Sequence, residues 1–125
     1  MKDLLKAARA AQKNAYAPYS KFKVGAAVRT ADGAIYGGCN VENVAYPQGW
    51  CAETSALAAM IGAGHKKIAE CLVVGPGPKM ITPCGGCRQK LAEFAAKETP
   101  IHLCGPKGLV RTVTLGELLP LAFDF

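Results

Sequence analysis

The first part of the chain carries apolar side chains at every third or fourth position, with basic residues between them. This period predicts an amphipathic helix over Lys2–Ala15. The Ala17-Pro18 step ends it, because a residue before proline avoids the helical conformation. The predicted apolar face consists of Leu4, Leu5, Ala8, Ala11 and Ala15, and the opposite, solvated face of Lys2, Lys6, Arg9 and Lys13.

After Pro18 the pattern changes to short apolar runs separated by turn residues and by two further helical segments. Helices that alternate with strands after an initial hairpin predict a mixed five-stranded sheet between helices, a three-layer α/β/α sandwich. The predicted elements are strands over Phe22–Thr30, Ala34–Cys39, Cys71–Val74, Pro100–Cys104 and Val110–Val113, helices over Cys51–Ile61 and from Thr82-Pro83 to Ala95, and a short helix with a Thr114/Glu117 capping box.

Length and composition predict one folded domain over residues 1–125. Half of the residues are hydrophobic and 19% are charged, which is typical of folded proteins. No apolar run approaches the roughly 20 residues that span a bilayer. Charged residues interrupt the N-terminal segment, so we expect no secretory signal and a cytoplasmic location.

The formal net charge of +6 raises the question of nucleic-acid binding. The fifteen basic residues are scattered along the chain and do not form a cluster. A site built from cysteine thiolates would also add negative charge that the formal count omits. We therefore expect neither a nucleic acid nor a membrane as partner.

The six cysteines include three at spacings typical of a metal site. In Pro83-Cys84-Gly85-Gly86-Cys87, a Cys-x-x-Cys pair at a helix start places two sulfurs on one face. Cys51, at the start of the preceding helix, is the candidate third ligand. Three protein ligands leave a fourth position for water, which is the pattern of a catalytic zinc. Helix N-termini also favour thiolates.

Glu53 turns this predicted metal site into a candidate enzyme. A carboxylate beside the open metal position can act first as a general base and then as a general acid, as in zinc deaminases. Residues two apart in a helix point to nearly opposite sides. Cys51 and Glu53 can therefore face one site only if Cys51 is the cap or lies in the first turn.

A structural zinc site with four cysteines is the main alternative. Its fourth ligand would be Cys39, Cys71 or Cys104. Cys71 and Cys104 lie in apolar strands and are better explained as core residues, whereas Cys39 is ambiguous. For His65 and His102, surface or core positions are expected rather than metal ligation.

Beyond the zinc segments, the chain resembles the short, homotetrameric cytidine deaminases from about Leu4 to Phe123. The resemblance implies one Zn²⁺ per chain and hydrolytic deamination of free cytidine and 2′-deoxycytidine in pyrimidine salvage. The matching segments are Tyr16–Ala27 (YAPYSKFKVGAA), Gly38–Asn43 (GCNVEN), Cys87–Gln89 (CRQ) and Leu118–Pro120 followed by Phe123.

The resemblance also implies how substrate binds. Asn40 and Glu42 would hydrogen-bond the ribose 3′-hydroxyl, which suits an amide and a carboxylate two positions apart on one face of an extended segment. Phe22 would stack on the pyrimidine, and the backbone of Ala52 would bind the base. Tyr46 and Phe123 would come from neighbouring subunits to complete each site.

One position departs from the family pattern. Many all-cysteine members carry an arginine directly after the glutamate, where it hydrogen-bonds the thiolates, whereas this chain has Thr54. Three thiolates outweigh the charge of one Zn²⁺, so other groups must offset the excess. The candidates are helix-terminal N–H groups, the Thr54 or Ser55 hydroxyl, and Arg88.

Three other functions compete with a free-nucleoside deaminase. A deaminase of bases within RNA or DNA predicts a clustered basic groove and no ribose clamp. A blasticidin-type aminonucleoside deaminase shares the zinc segments, but we expect no Asn-x-Glu-Asn run in it. In a non-enzymatic, zinc-stabilised binding module, Glu53 would be dispensable.

Overall fold

The computed structural model describes residues 1–125 and contains a five-stranded mixed sheet with helices on both faces. The predicted three-layer architecture is confirmed. None of the helices combines the length and the hydropathy needed to cross a membrane. The elements are α1 (Lys2–Lys13), β1 (Gly25–Thr30), β2 (Ile35–Cys39), a 3₁₀ turn (Tyr46–Gln48), α2 (Ala52–Gly62), β3 (Ile68–Val74), α3 (Gly85–Phe94), β4 (Pro100–Gly105), β5 (Gly108–Thr114) and α4 (Leu115–Leu118).

The strands lie in the order β2-β1-β3-β4-β5. β1 pairs antiparallel with both β2 and β3, β3 and β4 are parallel, and β4 and β5 are antiparallel. Parallel neighbours need a crossover connection, and α3 lies in the segment that joins β3 to β4. This crossover carries two of the candidate metal ligands, Cys84 and Cys87, to the same face of the sheet as α2.

Two cores form because successive residues of a strand face opposite sides of the sheet. On one side, Leu4 and Ala8 of α1 pack against Ala27, Leu72 and Cys104. On the other side, α2 and α3 cover a larger core that contains Val28, Cys71, Val73 and Leu103 from the strands and Ala56, Met60 and Leu91 from the helices.

Helix α2 lies unusually close to the edge strand β2, and Gly38 permits this approach. A Cβ atom at Gly38 would lie 2.3 Å from the backbone nitrogen of Ala56 and 2.6 Å from the carbonyl oxygen of Ala52. Atoms of a side chain do not fit at such distances. The first turn of α2, which carries Glu53, is thereby held against the sheet.

The first strand begins later than its apolar pattern predicts. β1 starts at Gly25 and not at Phe22. The segment before it is bound by a side chain, since the Val24 amide donates to Asn40 Oδ1 at 2.9 Å and Asn40 Nδ2 donates to the Phe22 carbonyl at 2.8 Å. The side-chain amide takes the place of a neighbouring strand there.

Candidate active site

Three cysteines meet where two helices begin. Cys51 caps the N-terminus of α2, Cys84 caps that of α3, and both have extended backbone conformations (φ −74°, ψ 157° and φ −66°, ψ 167°). Cys87 follows in the first turn of α3. The three Sγ atoms lie within 4.8 Å of one another, and those of Cys51 and Cys84 are 3.7 Å apart. The cap position of Cys51 meets the geometric condition stated above for Cys51 and Glu53.

This donor set fits zinc. Zinc binds thiolate sulfur at about 2.3 Å with tetrahedral geometry, which separates neighbouring sulfurs by about 3.8 Å. Cys51 and Cys84 already have that spacing. No other cysteine, histidine or carboxylate places a ligand atom in the cluster, so Cys39, Cys71 and Cys104 are not fourth ligands. The chain therefore offers three ligands and an open position, and the four-cysteine structural site does not form.

Two of these thiols have pKa values shifted in opposite directions. A hydrogen bond with Cys87 lowers the pKa of Cys51, and the same pairing, together with burial, raises the pKa of Cys87. Between these two, Cys51 therefore favours the thiolate and Cys87 the protonated thiol. Zinc binds all three as thiolates, so its binding must displace the proton that Cys87 retains.

Glu53 lies in the first turn of α2 and is only 4% exposed. Burial raises the pKa of its carboxyl group above the ordinary value, while the positive charge of Lys90 acts in the opposite sense. A carboxyl group with a raised pKa exchanges protons more readily near neutral pH.

Glu53 and two of the cysteines open into one cavity of about 280 Å³. Three of the predicted substrate residues, Phe22, Asn40 and Ala52, line the same cavity. Phe22 is 38% exposed, so its ring is accessible to a ligand. Three further residues line the cavity, and the sequence analysis assigned none of them to the site. They are Val24, Ile81 and Thr82.

Glu42 lies in a neighbouring depression with Tyr19, Ser20 and Tyr46. Its carboxylate accepts hydrogen bonds from the Tyr19 and Ser20 amides, at 2.9 and 3.1 Å, and from the Ser20 hydroxyl. The bond from the Ser20 side chain is the main cause of the lowered pKa of Glu42. Glu42 thus remains a carboxylate and orders the loop before Phe22.

Tyr46 and Phe123 line other depressions than the one that holds Glu53. Tyr46 is 74% exposed and packs edge to face against Tyr19. Phe123 is 72% exposed, and its carbonyl accepts a hydrogen bond from Gln89 Nε2 at 3.3 Å. Within one chain, neither side chain is brought to the cysteine cluster.

The three side chains proposed to offset the thiolate charge differ in whether they contact a ligand sulfur. The Ser55 hydroxyl donates to the Cys39 carbonyl at 2.8 Å, away from the cluster. The Arg88 guanidinium donates to the carbonyls of Pro83 and Leu118, at 2.7 and 2.9 Å, and to the Thr82 hydroxyl. Arg88 therefore fixes the loop before Cys84. Only the Thr54 hydroxyl contacts a ligand sulfur, at 3.7 Å from Cys87 Sγ.

Comparisons with known proteins agree with this geometry. A family model described as the cytidine and deoxycytidylate deaminase zinc-binding region matches residues 1–103. A cytidine deaminase of Sporosarcina psychrophila is 41% identical over 97% of this chain and 89% of that protein. The crystal structure of cytidine deaminase from Burkholderia pseudomallei superposes with a TM-score of 0.92 at 45% identity, covering 98% of each chain. That of the Mycobacterium tuberculosis enzyme superposes with a TM-score of 0.86 at 39% identity, covering 99% of this chain and 97% of the other.

Proposed function

The chain belongs to the cytidine and deoxycytidylate deaminase family, and on that premise we propose that it hydrolyses free cytidine and 2′-deoxycytidine to uridine, 2′-deoxyuridine and ammonia. The observation that carries this proposal is the cavity shared by buried Glu53, the cysteine cluster and Phe22. Residues 1–125 would act as one domain, in cytoplasmic pyrimidine salvage.

Cys51, Cys84 and Cys87 would hold one zinc ion per chain. When bound, zinc supplies the Lewis acidity that makes water a nucleophile at neutral pH. The helix N-termini at Cys51 and Cys84 favour the thiolate form that binding requires. The side chains of the chain itself must do the rest: bind the nucleoside, orient its C4 carbon and move protons.

Glu53 is the proposed proton carrier. Its carboxylate would take a proton from the attacking water and deliver it to N3 of the pyrimidine, which makes C4 more electrophilic. The carboxylate, free again, would then take the remaining proton of that water from the hydroxyl now on C4 and pass it to the 4-amino nitrogen. The C4–N bond would break, ammonia would leave and the C4 carbonyl of the product would form. Burial supports this assignment, because it raises the pKa of Glu53 and so eases both steps.

Phe22, Asn40, Ala52 and Glu42 are the proposed substrate contacts. The exposed ring of Phe22 would stack on the base, and the Ala52 backbone would hydrogen-bond it. The Glu42 carboxylate would accept from the ribose 3′-hydroxyl, and Asn40 Nδ2 would donate to the same hydroxyl oxygen. Both groups can do so, since Glu42 Oε2 accepts only from Ser20 and Asn40 Nδ2 uses one of its two hydrogens on the Phe22 carbonyl.

Assembly into a homotetramer is part of the proposal. The cavity of about 280 Å³ is at the small end for a ligand site, so groups from another subunit would help to enclose a nucleoside. Several large hydrophobic side chains are also left exposed in one chain, which is typical of an interaction surface. They are Val44 at 78%, Tyr46 at 74%, Leu121 at 95% and Phe123 at 72%.

The proposal can be tested by ammonia release from purified, zinc-loaded protein. Cytidine and 2′-deoxycytidine should be substrates, and free cytosine a poor one. Loss of a hydrogen bond to a charged group costs about 1.5–3 kcal/mol, so kcat/KM for 3′-deoxycytidine should be roughly 10–100-fold lower than for cytidine. Faster turnover of blasticidin S, or of cytosine within an oligonucleotide, would contradict the proposed substrate class.

The sugar contact has its own control. Glu42→Gln should lower kcat/KM for cytidine much more than for 3′-deoxycytidine, because the second substrate lacks the hydroxyl that Glu42 binds. If the variant slowed both nucleosides equally, Glu42 would serve only to order the Tyr19-Ser20 loop.

A further inference from the structure

The proposed zinc site holds an unbalanced charge. Three thiolates carry one more negative charge than a zinc ion neutralises. Cys87 is fully buried, and Glu53 adds a second buried anionic group next to the cluster. A buried charge without a partner is expensive, so a cation should lie within reach of these groups.

We propose that Lys90 and Thr54 together supply this missing charge, with Lys90 acting on the Cys87 thiolate through the Thr54 hydroxyl. The inference rests on the proposed zinc site. It names two positioning residues that tune the metal but do not touch the substrate.

The hydrogen bonds can run in one direction only. Lys90 Nζ lies 3.0 Å from Thr54 Oγ1, and Thr54 Oγ1 lies 3.7 Å from Cys87 Sγ. A lysine ammonium group has donors and no acceptor, so the hydroxyl oxygen must accept from Lys90. The single hydroxyl hydrogen is then free to donate to sulfur. A hydroxyl polarised by a cation is also the stronger donor.

The two helices build this arrangement between them. Cys87 and Lys90 are three residues apart on α3 and so share a face of that helix. Thr54, in the first turn of α2, inserts its hydroxyl between them. Lys90 itself is exposed, so it escapes the cost of burying an ammonium group while its charge reaches the sulfur through a half-buried hydroxyl.

No other cation serves the cluster in this way. Arg88 uses its guanidinium on Pro83, Thr82 and Leu118, as described above. Lys90 also acts electrostatically on Glu53. A change in turnover alone would therefore not separate an effect on zinc from an effect on the acid/base group, and the test must measure metal affinity.

The experiment compares zinc affinity, by competition with a chelator, among Lys90→Met, Thr54→Val, the double variant and the parent. Lys66→Met is the matched control, since it removes one exposed lysine charge from the loop between α2 and β3, outside the two helix starts that carry the cluster. Partners of metal ligands contribute about 10–100-fold to affinity. We expect about tenfold weaker zinc binding for Lys90→Met, because that residue is exposed, and no change for Lys66→Met.

Three further results identify the relay itself. If the charge of Lys90 acts through the Thr54 hydroxyl, either single variant already breaks the relay. The double variant should then have the same zinc affinity as the single variant that binds zinc less tightly. Thr54→Ser and Lys90→Arg should keep most of the parent affinity. In the cobalt-substituted protein, the sulfur-to-metal absorption bands should shift in Lys90→Met and Thr54→Val but not in Lys66→Met.

The outcomes separate this inference from the proposed function. If the parent binds one zinc ion and deaminates cytidine, but Lys90→Met matches Lys66→Met in zinc affinity, the relay is wrong and the deaminase assignment stands. Slower turnover with unchanged affinity and unchanged cobalt spectrum would also overturn the relay, leaving Lys90 a role towards Glu53 only. A parent without stoichiometric zinc would overturn both.

Discussion

Whether Glu53 faces the cysteine cluster depends on the backbone conformation of Cys51, two positions before it. In a continuous helix, Cys51 and Glu53 would point to nearly opposite sides, but Cys51 is the extended N-cap of α2 and so turns its sulfur back towards the cluster. The sequence predicts that Cys51 is the cap or lies in the first turn, because only these positions let both side chains face one site, and the structure selects the cap. No comparable sequence signal exists for Lys90 and Thr54, whose contact depends on how α2 packs against α3.

The proposed role of Glu53 is tested by Glu53→Gln. The amide is nearly isosteric but cannot carry a proton, so zinc content and substrate binding should be retained. Turnover of cytidine should fall by several orders of magnitude, since each positioned proton transfer contributes roughly 10²–10⁴-fold. The measurements are steady-state kinetics and metal analysis on the same preparation. Near-parent turnover with zinc in place would move the acid/base role to another group.

Asn40 shows a limit of reasoning from single residues. The resemblance implies that it binds the ribose, whereas the structure shows that its side chain also fixes the backbone of Phe22 and Val24. These two roles would be coupled, because the residue that contacts the sugar also sets the position of the proposed stacking ring. A side chain that bonds to backbone groups sixteen and eighteen residues away leaves no trace in a local pattern.

At the scale of elements, the sequence predicts which strands and helices exist better than where they begin. β3 starts at Ile68 and not at Cys71, and α1 ends at Lys13 and not at Ala15. The ends of an element depend on its tertiary partners: the segment from Phe22 to Val24 lies outside β1, and its backbone bonds to the Asn40 side chain. Where a local interaction fixes the end, prediction succeeds: the Thr114/Glu117 capping box forms at the start of α4 as its spacing requires.

The contact between β2 and α2 predicts a large effect of Gly38→Ala. The new Cβ would meet backbone atoms of Ala52 and Ala56 that cannot move without displacing the first turn of α2. We expect the free energy of unfolding to fall by about 3 kcal/mol or more, measured by chemical denaturation. Gly62→Ala is the control, because nothing lies within 4 Å of its Cβ position and alanine favours a helix. Equal stability of the two variants would contradict the close packing.

A row of polar side chains crosses four strands on the face that α1 covers only in part. Arg29 of β1 and His102 of β4 both bond Glu70 of β3, at 2.9 and 2.8 Å, and His102 also bonds Thr112 of β5 at 2.9 Å. Burial alone would raise the pKa of Glu70, but the bonds from His102 and Arg29 outweigh it, and the pKa is lowered. The ionised Glu70 carboxylate therefore stabilises the sheet, and protonation at low pH removes that contribution.

This row predicts a pH-dependent effect of Glu70→Gln. A carboxyl group with a lowered folded-state pKa contributes stability above its unfolded value, near 4.5, and loses it as the pH falls further. The variant should be about 1 kcal/mol less stable than the parent at pH 7, a modest value because the groups are partly solvated. The difference should shrink at pH 3. Glu98→Gln, at an exposed position, should show no such difference, and a deficit that persists at pH 3 would assign the effect to packing.

For the whole molecule, alternation of helices and strands predicts the three-layer sandwich, and the fold matches it because α1 packs on one face of the sheet and α2 and α3 pack on the other. The proposed sharing of sites between subunits is a different matter. Tyr46 and Phe123 lie outside the cavity of their own chain, and no periodicity in one chain encodes the arrangement of several.

The proposed sharing of sites predicts that two inactive variants restore activity when they are combined in one tetramer. If Phe123 serves a neighbouring subunit, Phe123→Ala should lose activity while keeping an intact Glu53, and Glu53→Gln should lose activity while keeping an intact Phe123. In mixed tetramers formed by co-expression, roughly a quarter of the sites would combine a Glu53 and a Phe123 from different chains. Deaminase activity should then return to about that fraction of the parent, with light scattering confirming tetramers. If Phe123 acted within its own chain, no site in the mixture would hold both residues, and the mixture would remain as inactive as its components.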